Sequence, residues 1–147
     1  MGKMPGLLYS VRYISVSCLM VTFFVVIFVL MPMMEENALF MLYGGSMLYQ
    51  HTLCPVLSLF SFLALEMRDK LPKTDIIKAM IPTLIYAFAA ITLNVCRVIE
   101  GPYPFLVVYS QPWYASVLWC IVIIGIAGVL AFVVRGIHNF IWQKRKK

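Results

Sequence analysis

Residues 37–65 read NALFMLYGGSMLYQHTLCPVLSLFSFLAL, a run without a single Asp, Glu, Lys or Arg. About 20 apolar residues suffice to cross a hydrocarbon core about 30 Å thick. The stretch therefore predicts a membrane-spanning helix over 41–65. Open backbone cannot be satisfied in lipid, so the spans are expected to be helices and the fold an all-α polytopic membrane helix bundle. Inside this run sits His51. An ionisable side chain at such depth is costly, and the first reading of it is functional.

The whole chain supports that class. It has 147 residues, 63% hydrophobic and 12% charged, with mean hydropathy +0.92. Soluble domains carry about a quarter charged residues, so one integral membrane domain over 1–147 is expected. The net charge of +6 would suggest nucleic acid in a soluble protein. Here the position of the charges points to membrane orientation and not to nucleic acid. The expected partners are membrane lipids.

Uncharged runs predict four spans, at about 13–31, 41–65, 79–96 and 113–134. Pro32 and the acidic pair Glu35 and Glu36 close the first, and Pro82 falls in the first turn of the third, where proline is tolerated. Lys and Arg number 2, 0, 4, 1 and 5 in the N-terminus, the three loops and the C-terminus. By the positive-inside rule both termini and the 66–78 loop are expected to be cytoplasmic. The first run has no small-residue cleavage site and is expected to be a retained span. Ala87, Ala89, Ala90, Gly125, Gly128 and Ala131 offer close helix contacts. Arg135 can snorkel at the inner boundary, and Trp142 marks the inner aromatic belt.

Cys18, Cys54, Cys96 and Cys120 all lie in apolar runs and are expected to be reduced and buried. His51 and Cys54 share a helix face, but two ligands do not make a metal site. No metal and no cofactor is expected.

Depth organises the polar residues. His51 lies 14 residues from the inner end of its span and Asn94 lies 15 from the inner end of the third, roughly 21–23 Å in each case. If those spans are neighbours, His51 is a candidate general base and Asn94, or a backbone carbonyl, its orienter. The alternative is a structural hydrogen bond that fixes helix register. Arg97, Glu100, Tyr103 and Tyr109 then lie just above the pair. The rigid turn Gly101-Pro102-Tyr103-Pro104-Phe105 follows. Arg97, Tyr103 and Phe105 are candidate binding residues for a lipid-like ligand. Thr92 and Ser116 have suitable depth for a nucleophile. Ser15 and Ser17 lie too near the inner end.

Two of these segments carry a resemblance. His51-Thr52-Leu53-Cys54-Pro55, with Leu57 and then Glu66-Met67-Arg68, resembles the histidine-bearing helix of the androgen-induced protein family of membrane hydrolases. Tyr103-Pro104-Phe105-Leu106 is similar to that family's Tyr-Pro-Phe-Leu turn between its last two helices. The resemblance implies a multi-helix membrane fold that hydrolyses fatty acid esters of hydroxy fatty acids through a threonine and a histidine, the histidine being His51. It aligns the first span here with the family's third helix, so the helix that bears the threonine has no counterpart. The expected function is that of a membrane protein resembling a fatty-ester hydrolase, with a base and no matched nucleophile. The competing function is a non-catalytic lipid-binding or scaffold subunit. A transporter is the weakest reading, because no acidic residue lies inside a span to bind cations or relay protons.

Overall fold

A computed structural model of the chain describes residues 6–33, 39–100 and 103–146. Glu35, Glu36, Gly101 and Pro102 lie outside the described residues. Among those described, every regular element is helical: α1 (Gly6–Met33), α2 (Phe40–Tyr43), α3 (Leu48–Ala64), α4 (Thr74–Val95) and α5 (Trp113–Arg145). A single 3-10 turn, Pro104–Leu106, lies in the connection from α4 to α5.

Three helices are long and apolar enough to cross a membrane: α1, α4 and α5, with 28, 22 and 33 residues. At 1.5 Å per residue they extend about 42, 33 and 50 Å. The expected uninterrupted helix over 41–65 is absent. Gly44 turns to an extended backbone (φ −77°, ψ 110°) and ends α2 after one turn. A Cβ there would strike the Phe40 ring. Gly45 follows in the left-handed region at φ +50°, which costs glycine little. What remains as α3 is a 17-residue helix, Leu48–Ala64, about 26 Å long.

Prolines explain the other irregularities. Residues Val26–Leu30 of α1 and Leu48–Leu53 of α3 are π-helical. Each segment ends two residues before a proline, Pro32 or Pro55. Proline has no N–H and crowds the carbonyl four residues earlier. Slipping the ladder by one residue accommodates this: Met31 N–H reaches Val26 O, and Cys54 N–H reaches Tyr49 O, each five residues back. Pro82 is handled differently. Helix α4 begins at Thr74, so Pro82 is well inside it and not in its first turn. The early start has a local cause, since Asp75 in the first turn complements the helix dipole and ion-pairs with Lys78 at 2.7 Å.

Helix α1 runs through the middle and packs against α3, α4 and α5. Helices α4 and α5 pack against each other, with Met80 lying 3.3 Å from where a Cβ on Gly128 would be. Ala90 and Ala131 are buried, whereas Ala89 is exposed and Gly125 faces open space. Helix α3 packs on α1 and has little contact with α4. The core has two parts. One, near the basic end of the bundle, gathers Tyr9, Tyr13, Val16, Phe62, Leu71 and Val134. The other, beneath the α4–α5 connection, gathers Val25, Val26, Leu30, Ala90, Phe105 and Leu106.

Candidate functional site

The second core borders a half-open cavity of about 370 Å³. Its walls come from α1 (Cys18, Val21, Thr22, Val25, Val26), α4 (Pro82, Thr83, Tyr86, Ala87) and α5 (Trp119, Cys120, Ile123). Tyr103, Phe105 and Leu106 of the connection close it. No charged side chain is among these residues. Two polar groups of the wall are already engaged: Thr22 Oγ1 donates to Cys18 O at 3.3 Å, and Cys18 Sγ approaches Ala79 O at 4.0 Å. The Thr83 hydroxyl, the Tyr86 and Tyr103 phenols, the Trp119 indole and the Cys120 thiol supply the remaining polarity. Burial pushes the Tyr103 phenol up from its ordinary pKa, so it stays a neutral hydroxyl at physiological pH.

The closing turn is built by Asn94. Helix α4 ends with Val98 N–H on Leu93 O and Arg97 N–H on Asn94 O, both at 2.9 Å. These are the two bonds of a Schellman motif, which needs a left-handed residue at the position after the cap. Arg97 occupies it at φ 57°, a conformation costly for a residue other than glycine. Its guanidinium lies over the Tyr109 ring, 4.8 Å from the centroid, and Tyr109 Oη donates to Val95 O. Asn94 then holds both ends of the connection. Its Nδ2 donates to Ile99 O at 3.1 Å, and its Oδ1 accepts from Val108 N–H at 2.9 Å. From the far side Gln111 Nε2 donates to Phe105 O and to Ser116 Oγ. Within this frame Tyr103 stacks on Phe105, which packs against Trp119.

The expected residues are thus divided between separate places. Tyr103 and Phe105 line the cavity; Arg97 does not, being committed to Tyr109. His51 does not line it either. His51 is 7% exposed, and its Nδ1 lies 2.9 Å from Met41 O. A carbonyl only accepts, so Nδ1 carries the proton. Next to it Thr52 Oγ1 donates to Leu42 O at 3.0 Å. Both side chains reach back ten residues to carbonyls that the break at Gly44 and Gly45 leaves without helical partners. His51 is oriented by a backbone carbonyl, and Asn94 by the connection. Among the described residues the two share no hydrogen bond. Thr92 Oγ1 is turned to Phe88 O of its own helix.

A larger polar assembly fills the basic end, and the spacing arguments missed it. His138 is 0% exposed. Asn139 Nδ2 donates to Leu71 O and its Oδ1 accepts from Leu71 N–H. Its orientation is thereby fixed, so His138 Nδ1 must donate to that oxygen, at 3.2 Å. His138 Nε2 then accepts from the Tyr9 hydroxyl, while the His138 ring stacks on Phe62 at 5.1 Å. Trp142 Nε1 donates to Arg68 O, and Arg135 Nε donates to Leu71 O and Pro72 O. Alongside, Arg12 grips Glu66 with two bonds (2.7 and 3.0 Å) and Ser58 with a third. Arg12, with help from Ser61, holds the Glu66 carboxyl below its ordinary pKa despite partial burial. The only signal in the sequence was the polar pair His138-Asn139 two turns before the basic tail.

The four cysteines are free and none is fully buried: Cys54 and Cys96 are exposed, Cys18 and Cys120 intermediate. On a lipid-facing surface a thiol behaves as a small apolar group, so exposure costs little there.

Comparison of the chain with protein-family models, with curated proteins and with solved structures finds no match in any of the three.

Proposed function

We propose that this chain is a four-span membrane protein that binds one uncharged, lipid-like molecule in the cavity between α1, α4 and α5, without hydrolysing it. The observation that carries the reading is the charge-free wall of a 370 Å³ cavity. A carboxylate or phosphate would find no cation there, and burying an unpaired charge is costly. An ester or alcohol would find the phenols of Tyr86 and Tyr103.

The fourth span in this reading is α2 with α3. Its support is the repair of the helix break by His51 and Thr52, which matters where no water can reach the freed carbonyls. The alternating Lys and Arg counts support a topology with both termini in the cytoplasm and the cavity in the outer half of the membrane. Cysteine-accessibility labelling at positions 73 and 146 tests this; labelling from outside would refute it.

The binding test uses Trp119 in the cavity wall. Delipidated protein in detergent, titrated with a brominated monoacylglycerol, should show saturable quenching of tryptophan fluorescence. The quenching should be lost in Trp119→Phe and weakened in Ala87→Phe. Non-saturable quenching, equal in all three proteins, would overturn the reading.

Fatty-ester hydrolysis with His51 as base is the second reading, and the resemblance of the two motifs motivates it. One observation favours it: with Nδ1–H on Met41 O, His51 presents Nε2 as a proton acceptor, the tautomer a general base needs. A nucleophile within about 3 Å of that nitrogen is also required. Thr52 and Thr92 donate to backbone carbonyls, and Ser116 accepts from Gln111. A fluorophosphonate probe distinguishes the readings. Labelling that disappears in His51→Ala and in Thr92→Ala or Ser116→Ala would establish hydrolysis; none is expected.

A further inference from the structure

The basic end of the bundle carries a second concavity, an open groove of about 460 Å³ between α3 and α5. Its floor is apolar, from Val56, Leu59, Phe60, Leu63 and Ile141, and its mouth is Arg145. The arginine is held there by a bond from Nη2 to Ala64 O at 3.1 Å, where the last turn of α3 leaves its carbonyls free. We infer that this groove holds one anionic phospholipid, with an acyl chain along α3 and Ile141 and the phosphate on the Arg145 guanidinium.

Charge complementarity selects that occupant. The acidic side chains at this end are already engaged: Glu66 with Arg12, Asp69 with Arg68 and Asp75 with Lys78. Lys144 and Lys146 flank Arg145 and lie over the rings of Phe140 and Trp142, at 4.7 and 4.3 Å. Stacking on a ring face leaves an ammonium free to meet an anion from its other side. The length of α5 fits as well. About 50 Å of helix exceeds a hydrocarbon core of about 30 Å, so the turn bearing Lys144 and Arg145 can stand at headgroup level while Ile141 still faces acyl chains. A second protein chain would have to bury this cluster of cations against an acidic surface. A phospholipid meets both the groove and the charge with one molecule.

The inference relies on membrane insertion but not on the cavity beneath the α4–α5 connection, and the test separates the two. Delipidated protein is examined by native mass spectrometry with phosphatidylglycerol and phosphatidylcholine of identical chains. Phosphatidylglycerol should be retained one per protein at about fivefold lower lipid concentration, the effect of roughly one basic side chain at a headgroup. Arg145→Gln should erase the preference and Arg145→Lys should keep most of it. Leu63→Trp, which fills the groove, should lower retention of both lipids, whereas Ala87→Phe should change neither. Equal retention of the two lipids by wild type, or a preference that survives Arg145→Gln, would overturn the inference. Retention lost in Ala87→Phe instead would assign the lipid to the other cavity.

Discussion

His51 and His138 are both buried, yet they are held in opposite ways. His51 lies on a broken helix and bonds a carbonyl ten residues away in the same segment. His138 lies in an unbroken helix of 33 residues and joins distant parts of the chain: Tyr9 on α1, Phe62 on α3 and, through Asn139, Leu71 before α4. One repairs local backbone; the other ties the bundle together. A histidine in an apolar run is expensive wherever it sits, so its presence shows that something compensates. Whether the compensation is local repair, tertiary structure or chemistry depends on which groups are nearby.

This contrast orders the expected losses. His138→Ala should cost the most, about 3 kcal/mol, since it removes a buried ring and leaves the Tyr9 hydroxyl and Asn139 short of a partner. Thermal unfolding in detergent measures it, and a loss under about 1 kcal/mol would remove His138 from the centre of the network. Asn94→Ala comes next, at about 2 kcal/mol for two bonds to backbone. It should also weaken ligand binding, because the Tyr103–Leu106 wall loses both anchors. Full binding in that variant would mean that Gln111 alone positions the turn.

His51→Ala should cost only about 1 kcal/mol, one hydrogen bond to a carbonyl, and His51→Gln should restore part of it. A loss as large as that of His138→Ala would erase the distinction between the two histidines. The smallest effect is tied to pH. Arg12 lowers the Glu66 carboxyl below its ordinary value of 4.5. The ion pair therefore contributes fully above pH 4.5, and its contribution declines as pH falls through the lower folded value. Glu66→Gln should lose under about 1 kcal/mol at neutral pH and show a flatter stability profile below pH 4.5. A profile as steep as that of wild type would assign the acid sensitivity to another group.

Much of the fold was legible because uncharged length is a direct signal: α1 and α5 each contain a predicted span, and α4 covers the third except for Cys96, its C-cap. The break within 41–65 was not legible because the same criterion ignores Gly44 and Gly45, which end a helix without adding charge. Charge also set the expected start of α4 at Ala79, although Thr74 and Asp75 are the residues that begin it. In the candidate site, Tyr103 and Phe105 were found from their proline-rich turn, and both line the cavity. His51 and Asn94 each bond within their own part of the chain, to Met41 O and to Ile99 O and Val108 N–H, contacts that helix depth does not encode. The Tyr9–His138 bond joins residues 129 apart, and no local spacing could have announced it.

The central claim is that ligand binding belongs to the α1–α4–α5 cavity and that His51 is a structural cap outside it. The most direct measurement is photolabelling with a diazirine-bearing monoacylglycerol, followed by mapping of the modified peptides. The account predicts label on residues 18–26 and 119–123, suppressed by Ala87→Phe and unchanged in His51→Ala. Label concentrated on residues 48–56, lost in His51→Ala and indifferent to Ala87→Phe, would contradict it.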